Sequence, residues 1–77
     1  MPTVLRVGPY RFFFYSGDGN EPAHVHVEHD ANAAKFWLAP VRLARSRGVG
    51  RAELRDINRL VNEHAQELLE AWNDYFG

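Results

Sequence analysis

Apolar and polar residues along the chain change their rhythm near residue 50. Before it, apolar residues come in short β-branched or aromatic runs, separated by glycine, proline, aspartate and asparagine. That punctuation predicts strands at residues 3–7, 10–15, 24–29 and 34–39. Gly8-Pro9 turns the chain between the first two, and residues 16–22 form a loop that Pro22 ends. Pro40 cannot continue a central ladder, so residues 41–44 can add only an edge strand, followed by a basic, glycine-containing turn at 45–50. Beyond that point Leu54, Ile57, Leu60, Val61, Leu68 and Trp72 recur at steps of three and four. They mark a single apolar stripe on a helix over about residues 51–75. One stripe buries one face. The expected fold is therefore α+β: a three- to four-stranded antiparallel sheet with one long C-terminal helix packed on one face, in a single domain spanning residues 1–77.

The third strand carries the densest chemistry, Glu21-Pro22-Ala23-His24-Val25-His26-Val27-Glu28-His29. Side chains alternate between strand faces, so His24, His26 and Glu28 share one face while Val25 and Val27 take the other. A four-residue loop at 30–33 sets the pairing with the fourth strand. In that register Val27 meets Phe36 and Val25 meets Leu38 on a core face, and Glu28 meets Lys35 and His26 meets Trp37 on an outer face. His29 points elsewhere, near the turn. The expected core is Leu5, Phe13, Val25, Val27, Phe36, Leu38, Leu54, Ile57, Val61, Leu68 and Trp72.

Composition narrows the function classes. A chain of 77 residues makes one small, marginally stable domain. The 45% hydrophobic content includes Trp 2, Tyr 3 and Phe 5, enough for a packed core rather than a disordered chain. Without cysteine there is no disulfide, no thiolate nucleophile and no thiolate zinc ligand, which fits a reducing cytoplasm as the expected location. No apolar run approaches membrane-spanning length and the start does not read as a signal peptide, so no membrane role is expected. The net charge of −1 gives no general attraction to nucleic acid, but its distribution is uneven. Arg42, Arg45, Arg47, Arg51, Arg55 and Arg59 fall within residues 42–59, and Glu63, Glu67, Glu70 and Asp74 follow with no basic residue among them. Such polarity points to a partner. Arginines near a helix start run against the dipole preference, and with Arg47 beside them Arg51 and Arg55 suggest an anion-binding corner.

Two imidazoles at i, i+2 on a strand stand roughly 6.5–7 Å apart along the chain and can converge on one divalent metal. A third ligand is needed. Glu28 shares the face, giving His24, His26 and Glu28 as the metal set, and Asp18 and Glu21 lie in the adjoining loop. A divalent ion is the one cofactor the residues suggest; otherwise none is expected. The same pair can act instead as general acid and base, His24 with His26, in cleavage of RNA next to a 2′-hydroxyl. Lys35 or an arginine would then meet the phosphorane charge, and Tyr10, Tyr15 and Trp37 could stack bases. Against both stands a plain structural role, with His26 and Trp37 as a cross-strand pair on a wet face. Ser16 lacks a nucleophile-elbow context, and Gly17 and Gly19 lead into Asn-Glu-Pro rather than a helix, which excludes a phosphate-cradling glycine motif.

The chain also resembles the small bacterial and phage-borne proteins grouped as domain of unknown function 4160. The resemblance rests on Met1-Pro2-Thr3, Phe14-Tyr15-Ser16 and Glu21-Pro22-Ala23-His24-Val25-His26-Val27. It continues through Ala34-Lys35-Phe36-Trp37-Leu38-Ala39-Pro40-Val41, Glu53-Leu54 and Glu70-Ala71-Trp72-Asn73. One departure is Ala23, where many relatives have a second proline. The resemblance implies a protein encoded beside another small domain, in arrangements similar to toxin–antitoxin pairs. The leading expectation is therefore a small protein-interaction module with a protein partner encoded nearby. It would bind that partner or an acidic polymer such as RNA through Tyr15, Lys35, Trp37, Arg47, Arg51 and Arg55. The alternatives are a metal-independent ribonuclease and a histidine-based metal-binding protein. The aromatic-rich second strand leaves a homodimer open.

Overall fold

The computed structural model describes residues 3–77; Met1 and Pro2, which open the family-like motif, lie outside the described residues. Five strands run as one antiparallel meander in chain order: β1 (Thr3–Val7), β2 (Tyr10–Phe13), β3 (His24–His29), β4 (Asn32–Leu38) and β5 (Val41–Arg47). A short 3-10 turn, Ser16–Asn20, joins β2 to β3. Two helices follow, α1 (Arg51–Glu63) and α2 (Ala65–Phe76).

The α+β architecture and single helical layer match the sequence expectation, with two corrections. The sheet has a fifth full strand, because β5 continues through Arg47 across the stretch expected to be a basic turn. An edge strand tolerates such charge, and unlike a central strand it need not look apolar. The expected single helix is two. At His64 the backbone leaves helical geometry (φ −108°, ψ 12°), although the His64 N–H still reaches Leu60 and the Leu68 N–H still reaches His64. The apolar stripe passes through this bend unbroken, so periodicity alone shows no sign of it.

The β3–β4 turn is also tighter than expected. Asp30 adopts a left-handed φ of 56°, which aspartate tolerates, and the loop shrinks to Asp30-Ala31. His24 then faces Trp37, His26 faces Lys35, Val25 faces Phe36 and Val27 faces Ala34. The observed register is therefore displaced by two residues from the expected one. An even displacement exchanges partners but leaves every side chain on its own face, whereas an odd one would have turned the strand inside out.

Val25, Val27, Phe36 and Leu38 accordingly sit under the helices with Ile57, Leu60, Val61, Leu68 and Trp72. Phe12 and Phe14 join them at 0% exposure. Phe13, expected in this core, is buried on the opposite face instead, stacked on His26 with ring centroids 5.4 Å apart. Leu5 and Leu54 are only partly buried at the core's margin.

The start of α1 is tied to the sheet by polar contacts. Glu53, an acid suited to the first turn, accepts from the Tyr10 hydroxyl at 3.0 Å and pairs with His29 Nδ1 at 2.8 Å. The hydrogen bond to Glu53, opposed by partial burial and helped by nearby Asp30, raises His29 above its ordinary 6.5. His29 in turn, with Tyr10, holds Glu53 below its ordinary 4.5. A raised imidazole stabilises the fold fully below 6.5 and loses that contribution as pH rises through the folded value. A lowered carboxyl contributes above 4.5 and loses it as pH falls. The pair is therefore strongest between those values. The difference in melting temperature between wild type and His29→Gln should be largest from pH 4.5 to 6.5 and shrink above that window. Thermal melts across pH check this, and a pH-independent difference would contradict it.

Candidate functional site

The helices cover one sheet face, and the other is open. On it a groove of about 310 Å³ is lined by Phe13, Tyr15, His26, Glu28, Ala33, Ala34, Lys35, Arg45, Ser46 and Arg47. A bulge explains why so many cations share this face. The β4–β5 register shifts between Lys35 and Phe36, so Arg45 lies opposite Lys35 and Arg42 opposite Trp37. Simple alternation would put Arg42 and Arg45 on opposite faces; the extra residue at Ala44 puts them on the same one.

These cations differ in availability. Lys35 is nearly buried, its Nζ 2.6 Å from Glu21 Oε1 and 4.7 Å from the centre of the Trp37 ring. Arg11 bonds Glu28 at 2.7 Å and Thr3 at 2.7 Å, and lies over Phe13 at 4.3 Å. Arg42, Arg45 and Arg47 are exposed, and no ion pair among the described residues engages them. Tyr15, 48% exposed, stands at the groove wall with its ring 4.6 Å from that of His26.

At one end of the groove the 3-10 turn folds back on β3. The Tyr15 N–H donates to Asp18 Oδ2 at 2.9 Å and the Asp18 N–H donates to the Tyr15 carbonyl at 3.0 Å, a reciprocal pair that aims the carboxylate inward. His26 Nε2 lies 3.0 Å and His24 Nε2 3.1 Å from that same oxygen. His24 is 0% exposed, wedged between Trp72 (5.0 Å), His26 (5.1 Å) and Trp37 (5.7 Å). Its Nδ1 bonds the Pro22 carbonyl at 2.9 Å. Burial opposes ionisation of Asp18, but the Tyr15 N–H and the two imidazoles outweigh it and hold the carboxyl below its ordinary value. Burial lowers His26, against the pull of Asp18.

The turn is held from behind by a close approach. A Cβ on Gly19 would come within 2.8 Å of the Phe76 ring of α2, whereas one on Gly17 would meet nothing within 4 Å. Gly19→Ala should therefore cost about 1–3 kcal/mol by overpacking, and Gly17→Ala close to nothing. Paired thermal melts check this, and equal effects at both positions would contradict it.

The structure thus brings together His24, His26, Lys35, Trp37, Tyr15 and Arg47 on or beside one face. Three expected site residues fall out. Glu28, expected as a metal ligand, is taken by Arg11, and Asp18 stands where the third ligand was sought. Arg51 and Arg55 do not line the groove; Arg55 borders a smaller cavity on the helix side with Phe36, Leu43, Leu54 and Asn58. The anion corner read from the helix is therefore not one site. Arg45, which the sequence places in the basic stretch and its turn but not among the site residues, lines the groove. Asp18 stands out in the sequence only as one of two loop acids; its position between Gly17 and Gly19, three residues after Tyr15, is the turn signal that places it.

Fold and site together define a small α+β domain with an open, arginine-edged sheet face and a two-histidine, one-carboxylate cluster at its end. The chain belongs to the family described as Domain of unknown function (DUF4160), whose model matches residues 10–73. No curated protein and no solved structure matches the chain. Among the described residues no helix is long and apolar enough to cross a membrane.

Proposed function

We propose that the protein is a small binding module whose open sheet face takes a single-stranded polyanion, RNA above all. The groove carries this reading: it sets Arg45 and Arg47 beside the exposed Tyr15 ring. Cations along a strand track a phosphate backbone, and an exposed aromatic ring at their side gives a base a surface to stack on. A protein partner fits this face less well. Among the described residues the large exposed apolar side chains are Tyr15, Leu43 and Tyr75, which form no patch in the groove, since Leu43 borders the helix-side cavity. Binding is favoured over cleavage by a His24/His26 acid–base pair because His24, fully buried, offers no surface to a substrate. A toxin–antitoxin-like setting with a partner encoded nearby rests on the family resemblance, a cytoplasmic location rests on the lack of cysteine, and RNA binding is compatible with both.

Anisotropy titration of a labelled oligouridylate tests the reading. Binding should saturate, and its affinity should fall with salt with a log–log slope of about −2, as for about three neutralised phosphates on a single strand. No binding at low salt would overturn it, and so would binding indifferent to salt.

A further inference from the structure

We propose that Asp18, His24 and His26 bind one divalent transition-metal ion of the zinc class. This goes beyond polyanion binding and does not depend on it. The first observation is convergence: one ligand atom from each residue lies within 4.8 Å of the other two. Ligand atoms of a tetrahedral ion at about 2.0–2.2 Å stand about 3.3–3.6 Å apart. Both imidazole nitrogens lie 3.0–3.1 Å from the carboxylate oxygen, a few tenths of an ångström short of that spacing, and the two nitrogens lie within 4.8 Å of each other.

The second observation is an unpartnered atom. His24 Nδ1 lies against the Pro22 carbonyl, which can only accept, so Nδ1 carries the hydrogen. In the neutral ring Nε2 is then a bare lone pair, and it faces the Asp18 carboxylate at 3.1 Å without forming a hydrogen bond. Two electron-rich atoms held together at a fully buried ring call for a cation between them, either a proton on Nε2 or a metal ion in its place. The Nδ1–H to carbonyl bond is also the outer contact by which metal-bound histidines are commonly oriented. The Tyr15 N–H does the same for the carboxylate.

The donor set selects the ion. Two nitrogens and one oxygen, with no thiolate, suit zinc, nickel, cobalt or iron rather than calcium or magnesium, which prefer oxygen. Three protein ligands leave at least one position open. That position lies toward Asp18 and His26, whose side chains are 14% and 12% exposed, and not toward His24.

The test is calorimetric titration of tag-free, chelator-treated protein with Zn²⁺ alone, backed by Co²⁺ absorption spectra. One equivalent should bind, raise the melting temperature, and give cobalt bands of a nitrogen–oxygen site. Asp18→Asn and His26→Gln should each weaken binding by ~100-fold or more, beyond the ~10–100-fold that loss of an outer contact costs. His64→Ala, which removes an imidazole paired with Glu67 on the helices, should bind as wild type does. His24→Ala is a poor sole test because the residue is buried, whereas Asp18→Asn and His26→Gln alter less enclosed groups. Absence of Zn²⁺ binding by folded wild type would overturn the proposal. Undiminished binding by Asp18→Asn and His26→Gln, the mark of an adventitious surface ion only, would overturn it equally.

Discussion

Truncating Trp72 to alanine should lower the melting temperature by roughly 12–40 °C. Trp72 is 8% exposed and meets Phe14 at 5.3 Å, Phe76 at 4.2 Å and His24 at 5.0 Å. It is where α2, the core aromatics and the histidine cluster touch. Removing a buried tryptophan leaves a cavity that rigid neighbours cannot fill and costs about 3–5 kcal/mol. In a domain of this size each kcal/mol moves the melting temperature by about 4–8 °C, which gives the range above. Total stability of such a domain is only about 5–15 kcal/mol, so the loss is a large fraction of it. Trp72→Phe should recover part of the loss by keeping a ring against Phe14. A loss below about 5 °C for the alanine variant would contradict this anchoring of α2.

Reversing Arg45 and Arg47 together to glutamate should weaken oligouridylate binding by roughly 100-fold at low salt. Each arginine–phosphate pair at an exposed site is worth up to about 1 kcal/mol, and each new carboxylate repels a phosphate, so a total near 3 kcal/mol is expected. The salt slope should fall from about −2 to about −0.7, as one neutralised phosphate remains. Both residues lie exposed on an edge strand, so the fold should not change. Charged residues there also protect the sheet edge from pairing with another chain, a role that needs no ligand. The two roles separate cleanly: if the arginines only guard the edge, the double variant binds RNA as wild type does and shows more self-association. Arg51→Glu/Arg55→Glu, outside the groove, should leave binding nearly intact.

The sequence made the faces of the central hairpin legible and its register illegible, for one reason. Alternation is a property of each strand, whereas register depends on the turn, and Asp30 takes a left-handed conformation that composition does not announce. The two-residue error cost nothing in face assignment, so Val25, Val27, Phe36 and Leu38 fell correctly in the core and His26 on the open face. Phe13 falls on the opposite face from the expected one because three phenylalanines in a row carry no period. Only the pairing of Phe12 with Val27 and Phe13 with His26 settles which of them faces the helices. The site's two other surprises are local backbone events. The bulge at Ala44 gathers Arg42 and Arg45 on one face, and the hydrogen-bonded turn after Tyr15 folds Asp18 back over β3. Neither leaves a hydrophobic trace. Glu28 shares its strand face with His26 as alternation requires, but the neighbouring strand supplies Arg11, a pairing no single-strand pattern can show.

Amide chemical-shift mapping during titration with unlabelled oligouridylate tests most directly whether the open sheet face binds a polyanion. Shifts should concentrate at Tyr15, His26, Lys35, Arg45, Ser46 and Arg47, which line the groove, with Ile57, Val61 and Leu68 on the covered face unmoved. Shifts centred on Arg51 and Arg55, with the groove silent, would contradict it.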